Sequence, residues 1–160
     1  MTAITLPITE AEMPTGASCS AGLIRACDLP RLMAADDGRG RIVGLRQLAK
    51  NWAIAATDQR AAMISVEPRP HRWFHRLTRR RFDLARIAAV VRALCDRDEV
   101  PVPTWVGAHR ASRAVCLNDR KLTDSRWDAH IREIAPAACA VHNVWFAPVD
   151  LDDHRVHGFR

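Results

Sequence analysis

Leu45, Leu48, Ala49, Trp52 and Ala56 fall at i, i+3, i+4, i+7 and i+11, with Arg46, Gln47, Lys50 and Asn51 on the other side. That is the period of a helix that buries one face. Leu84, Ile87, Ala88, Val91, Leu94 and Cys95 repeat it, with Arg86 and Arg92 off the stripe. Both segments are predicted to be core helices.

The weaker patterns fill in the rest. Residues 1–20 show no sustained period, and residues 21–34 have room for a short helix through Leu23, Ile24, Cys27 and Leu32, interrupted by Pro30. Residues 36–40 read as a turn or linker, with the ordered domain beginning near Gly44. Asp58 is placed to cap a helix over 59–65, closed before Pro68. Trp73 and Leu77 are four apart and suggest one or two helical turns. Val100-Pro101-Val102-Pro103 must be an extended connection, because proline disfavours helix at the residue before it. Asp124 is read as the cap of a helix over 125–135, with Trp127, Ile131 and Ile134 on its apolar side and Pro136 as its stop. Residues 141–146 read as a short strand ending before Pro148.

These elements predict a mostly α fold: one small helical domain with a short extended or β element near the C-terminus. Residues 1–43 form a mobile N-terminal arm and residues 44–160 the helical domain. Trp52, Leu84, Ile87, Val91, Leu94, Trp105 and Trp127 are the expected core.

A chain of 160 residues, 48% hydrophobic and 26% charged, suits one globular domain. It has no apolar run of the roughly 18 residues that a membrane span needs. The opening residues lack the basic start and apolar core of a secretory signal, which predicts a cytoplasmic protein. Cys19, Cys27, Cys95, Cys116 and Cys139 form an odd set without a C-x-x-C pair, so reduced thiols are expected.

Charge changes the picture more. The net charge is +6, and residues 69–86 alone hold seven arginines against Asp83, so the rest of the chain is neutral. Within that run Arg69, Arg72, Arg76, Arg79, Arg80 and Arg81 lie among Trp73, Phe74 and Phe82. Guanidinium groups pair with phosphate and carboxylate and stack on aromatic rings. These six are the candidate binding residues, for nucleic acid or an acidic protein surface.

Motifs for chemistry are sparse. Cys139-x-x-His142 and His154-x-x-His157 use zinc-binding residue types outside the common zinc-finger spacings. His71 and His75 lack the intervening Glu of a zinc hydrolase. Asp150, Asp152 and Asp153 lack a phosphate-binding loop before them and read as a solvated turn or cap. No P-loop, nucleophile elbow or dinucleotide fingerprint occurs. No catalytic residue, cofactor or metal is expected. A small metal protein or enzyme using the Cys/His-rich C-terminal segment is the alternative.

Several short motifs carry a family resemblance. They are Glu67-Pro68, Arg81-Phe82-Asp83-Leu84-Ala85, Pro101-Val102-Pro103-Thr104-Trp105-Val106, Ala135-Pro136-Ala137-Ala138-Cys139, His142-Asn143-Val144-Trp145-Phe146 and Asp150-Leu151. From Gly44 to about Asp153 the chain resembles the helical domain of actinobacterial antitoxin-type regulators. In those proteins the domain often follows a helix-turn-helix, and the gene often lies beside a nucleotidyltransferase toxin. The resemblance implies a regulatory, toxin-antitoxin role, with a toxin as protein partner and DNA-binding through the helix-turn-helix. Residues 17–43 do not supply a regular bihelical unit with a recognition helix. The protein contact is therefore the stronger expectation.

Overall fold

The computed structural model describes residues 22–34, 40–69, 77–117, 122–123 and 125–151. The fold is mostly α. Six helices follow one another: α1 Leu29–Ala34, α2 Gly40–Ile54, α3 Thr57–Ile64, α4 Leu77–Asp98, α5 Arg126–Ile134 and α6 Ala137–His142. Two short strands, β1 Val115–Cys116 and β2 Val144–Trp145, pair in parallel, Val115 with Val144 and Cys116 with Trp145. No described helix is long and apolar enough to cross a membrane.

The two periodic stretches became the frame. Leu45, Leu48 and Trp52 of α2 are fully buried, as are Ile87, Ala88 and Val91 of α4. The longest helix, α4, packs against α1, α2 and α6, so it runs through the centre. Three expectations on these helices need correction. Ala56, at the end of the first stripe, is exposed and lies beyond α2, which stops at Ile54. Leu84 is only half-buried, at the edge of the fully buried stretch that starts at Ala85. Arg86, off the apolar stripe, is nonetheless buried. It reaches across to β1, donating from Nε to the Cys116 carbonyl at 3.2 Å, and its guanidinium pairs with Asp83 at 3.0 Å. Such a partner set is what a buried charge requires.

The core also takes in residues before Gly44: Ala26, Leu29 and Met33 are all buried in it. Pro30 does not interrupt that segment. It occupies the second position of α1, where a missing N–H costs nothing. Gly44 faces Leu29 and Met33, and a Cβ built there would lie 3.5 Å from Leu29.

Caps differ in detail from the sequence reading. Gln59, not Asp58, closes the start of α3, its Oε1 accepting from the Ala56 N–H at 3.0 Å. Asp124 lies outside the described residues, and Ser125 caps α5, its Oγ accepting from the Asp128 N–H. The proline connection does lead into a buried Trp105, whose indole donates to the Ile64 carbonyl at 2.9 Å. The stretch 141–146 splits. α6 continues to His142, Asn143 turns through a left-handed conformation at φ 58°, and only Val144–Trp145 is strand.

Candidate functional site

Four of the six candidate arginines fall among the described residues. Arg69 is exposed in the loop that follows α3. Arg72 and Arg76 lie outside the described residues. Arg79, Arg80 and Arg81 belong to the opening turns of α4, which has no acid in its first turn. The seventh arginine of the run, Arg86, is consumed by the core as described above.

The C-terminal Cys/His motif has structural work. Burial pushes the Cys139 thiol up to about 12, against a weaker pull from its hydrogen bond with the Phe146 backbone. A thiol held protonated is a poor nucleophile. His142 is buried, and its Nδ1 lies 2.6 Å from the His109 carbonyl, an acceptor, so this nitrogen carries the proton. Burial is the main cause that lowers the His142 pKa, with the positive charge of Arg92 adding to it and the His109 contact opposing it. Its Nε2 is buried without a partner. Among the described residues no three His, Cys, Asp or Glu side chains gather as a metal ion needs. Of the aspartate cluster, Asp150 caps a turn by accepting from the Ala147 N–H at 2.9 Å. His71, His75, Asp152, Asp153, His154 and His157 are outside the described residues.

A feature that the sequence reading did not identify lies beside α5. A cleft of about 370 Å³ opens there, with Trp127, His130, Ile131 and Ile134 of α5 along one side. Ile42 and Arg46 of α2 contribute to the lining, together with Trp145 and Phe146. Trp127 is the clearest correction to the expected core, being 64% exposed. Ile131 alone of the predicted apolar side is buried, while Ile134 is 40% exposed. A helical stripe shows which side of α5 is apolar and not whether anything covers it.

Polar groups around the cleft are partly committed. Arg46 donates from Nε to the Asp150 carbonyl at 2.8 Å, which ties α2 to the C-terminal segment. The Arg132 guanidinium lies 5.8 Å from the centre of the Trp145 ring, close enough for a cation–π contact. The Trp145 indole N–H is buried without an acceptor. His130 sits 6.1 Å from Trp127, ring centre to ring centre, and 3.8 Å from the Glu133 carboxylate.

No protein family, curated protein or solved structure matches this chain.

Proposed function

We propose that this chain is a non-enzymatic, antitoxin-like regulatory protein that acts by contact with an acidic protein partner. Arg69, Arg72, Arg76, Arg79, Arg80 and Arg81 form the contact surface. The observation that carries this reading is the run of three arginines in the opening turns of α4, where the first turn has no acid. The start of a helix already bears partial positive charge, so basic residues there cost stability and acids are normally favoured. An external anion removes that conflict by supplying the missing negative charge. Three consecutive helix positions also fan through about 200°, more than one packed face can absorb.

Both an acidic protein surface and a nucleic-acid backbone offer such charge. The resemblance to antitoxin-type regulators favours the protein, as residues 17–43 lack a regular helix-turn-helix pattern.

The test uses wild type and an Arg79→Ala, Arg80→Ala, Arg81→Ala triple variant at low and high salt. Each is co-expressed with the product of the neighbouring gene and, separately, titrated with duplex DNA. The triple variant is expected to lose the protein partner while its melting temperature stays the same or rises, since the arginines at the helix start cost stability. Duplex binding that falls steeply with salt would make nucleic acid the partner instead. If neither interaction responds to the triple substitution, the basic run is a solvated face and the reading fails.

A further inference from the structure

Among the described residues the apolar side of α5 is only half covered. Ile131 packs inward, but Trp127 and Ile134 on either side of it stay exposed along the cleft. Tryptophan is the residue type that most often anchors an interface, because a single ring removes a large area from water. Here the exposed anchor and an open apolar socket occur on the same chain. That is the requirement of a two-fold contact, in which each copy offers the same surface and receives it.

The charges on the flank of α5 say what the occupant is. Arg126 and Glu133 are seven residues apart, two turns of helix, so they lie on one flank. Both are exposed. One positive and one negative position give no net attraction for a uniformly acidic or basic partner. They do match an antiparallel copy of themselves. Two α5 helices crossing antiparallel set Arg126 of one copy against Glu133 of the other, and the two-fold axis repeats the pair.

We infer that the chain forms a two-fold homodimer through antiparallel α5 helices, with Trp127 of each copy seated in the cleft of the other. Nine residues of helix span only about 13 Å, whereas a specific interface buries roughly 1,200–2,000 Å² in total. The contact therefore extends beyond α5 to the rim of the cleft, where Val149 is 41% exposed and Ile42 half-buried. This inference uses none of the basic run and stands or falls apart from the partner proposed above.

Sedimentation equilibrium of the full chain over a range of concentrations, at low salt, reads the association directly. Wild type is expected to be dimeric in the micromolar range. Trp127→Ala should give a monomer that still melts cooperatively, its midpoint lowered only by the contribution that dimerisation makes to wild type. Arg126→Glu and Glu133→Arg should each weaken the dimer about tenfold, because each turns two attractive pairs into two repulsive ones. Combining the two reversals restores the match and should recover most of the affinity. A wild type monomeric at every concentration overturns the inference. So does a dimer that Trp127→Ala leaves intact, or one that the two reversals weaken additively with no rescue.

Discussion

The Trp52 indole N–H donates to the Asp98 carboxylate at 2.6 Å, joining α2 to the last residue of α4. Asp98 also pairs with Arg60 at 3.3 Å and Arg97 at 2.9 Å, and the Arg60 guanidinium lies 5.8 Å from the Trp52 ring centre. A carboxylate, two cations and an indole thus close one end of the core. The apolar stripe of α2 signals a buried Trp52, but a buried indole also needs an acceptor. Only the fold shows that Asp98 is that acceptor.

Asp98 is therefore expected to set part of the acid sensitivity of the protein. The hydrogen bond from Arg97 is the main cause that lowers its pKa below the ordinary 3.8, helped by Trp52 and Arg60 and opposed by burial. A carboxylate with a depressed folded pKa contributes stability above the unfolded value and loses it as pH falls through the folded one. Asp98→Ala should cost about 1–3 kcal/mol at neutral pH, because it strands the buried indole donor. The difference between wild type and variant should shrink below pH 4 in urea unfolding series. A difference that stays constant into strong acid would show that the carboxylate charge is irrelevant there.

The contrast between Val91 and Leu84 tests which part of the α4 stripe is the core. Val91 has no exposed surface, whereas Leu84 is half-buried. Val91→Asp would bury an unpaired charge at a cost of several kcal/mol, set against a usual total of about 5–15. It should leave the chain unfolded or aggregated. Leu84→Asp, with water nearby, should still melt cooperatively. Equal damage from both substitutions, read by circular dichroism melts, would place the core one turn earlier than the structure does.

How much of this was legible beforehand depends on length of pattern. The helices with Leu45 to Trp52 and Ile87 to Leu94 announce themselves, because four or more apolar residues share one face and each is buried where expected. Two-residue strands carry no such periodicity. Val115–Cys116 forms its pairs with residues 144–145, about thirty positions away, and nothing local signals that pairing. Trp127 fails for a different reason. Amphipathicity is a property of one helix, but burial depends on what a second element covers, and the described residues leave the cleft beside α5 open. The basic run was legible as charge, yet Arg86 within it was drawn into the core by Asp83 and a carbonyl that only the fold brings near.

Arg86 should accordingly behave as a structural residue unlike its neighbours in the run. Removing it by Arg86→Ala leaves the Asp83 carboxylate and the Cys116 carbonyl without that cation, and breaking a buried pair typically costs about 3–5 kcal/mol. The expected result is a large drop in the denaturation midpoint, where the Arg79, Arg80 and Arg81 triple variant shows none. A folded, fully stable Arg86→Ala protein would mean that the β1 contact is dispensable.

A second, separate pH window belongs to His142. Its imidazole is neutral because burial resists the charged form, and Arg92, His109 and Arg110 add to that resistance. The contact with the His109 carbonyl works the other way and is not enough to reverse the shift. The folded pKa therefore lies below the ordinary 6.5, which the unfolded chain keeps. Above 6.5 both states are neutral and the contribution to stability is complete. As pH falls below 6.5, the unfolded chain takes up a proton that the folded chain refuses, so stability declines toward the folded pKa. His142→Gln keeps an N–H to donate to the His109 carbonyl and removes the titration. Stability should then decline less than that of wild type between pH 7 and the onset of carboxylate titration. This decline begins well above the acid limb assigned to Asp98, so the two single variants should remove different parts of one stability curve. Guanidinium unfolding at half-unit pH steps resolves the two, and identical wild-type and His142→Gln curves between pH 7 and 5 would rule out a titrating role for this imidazole.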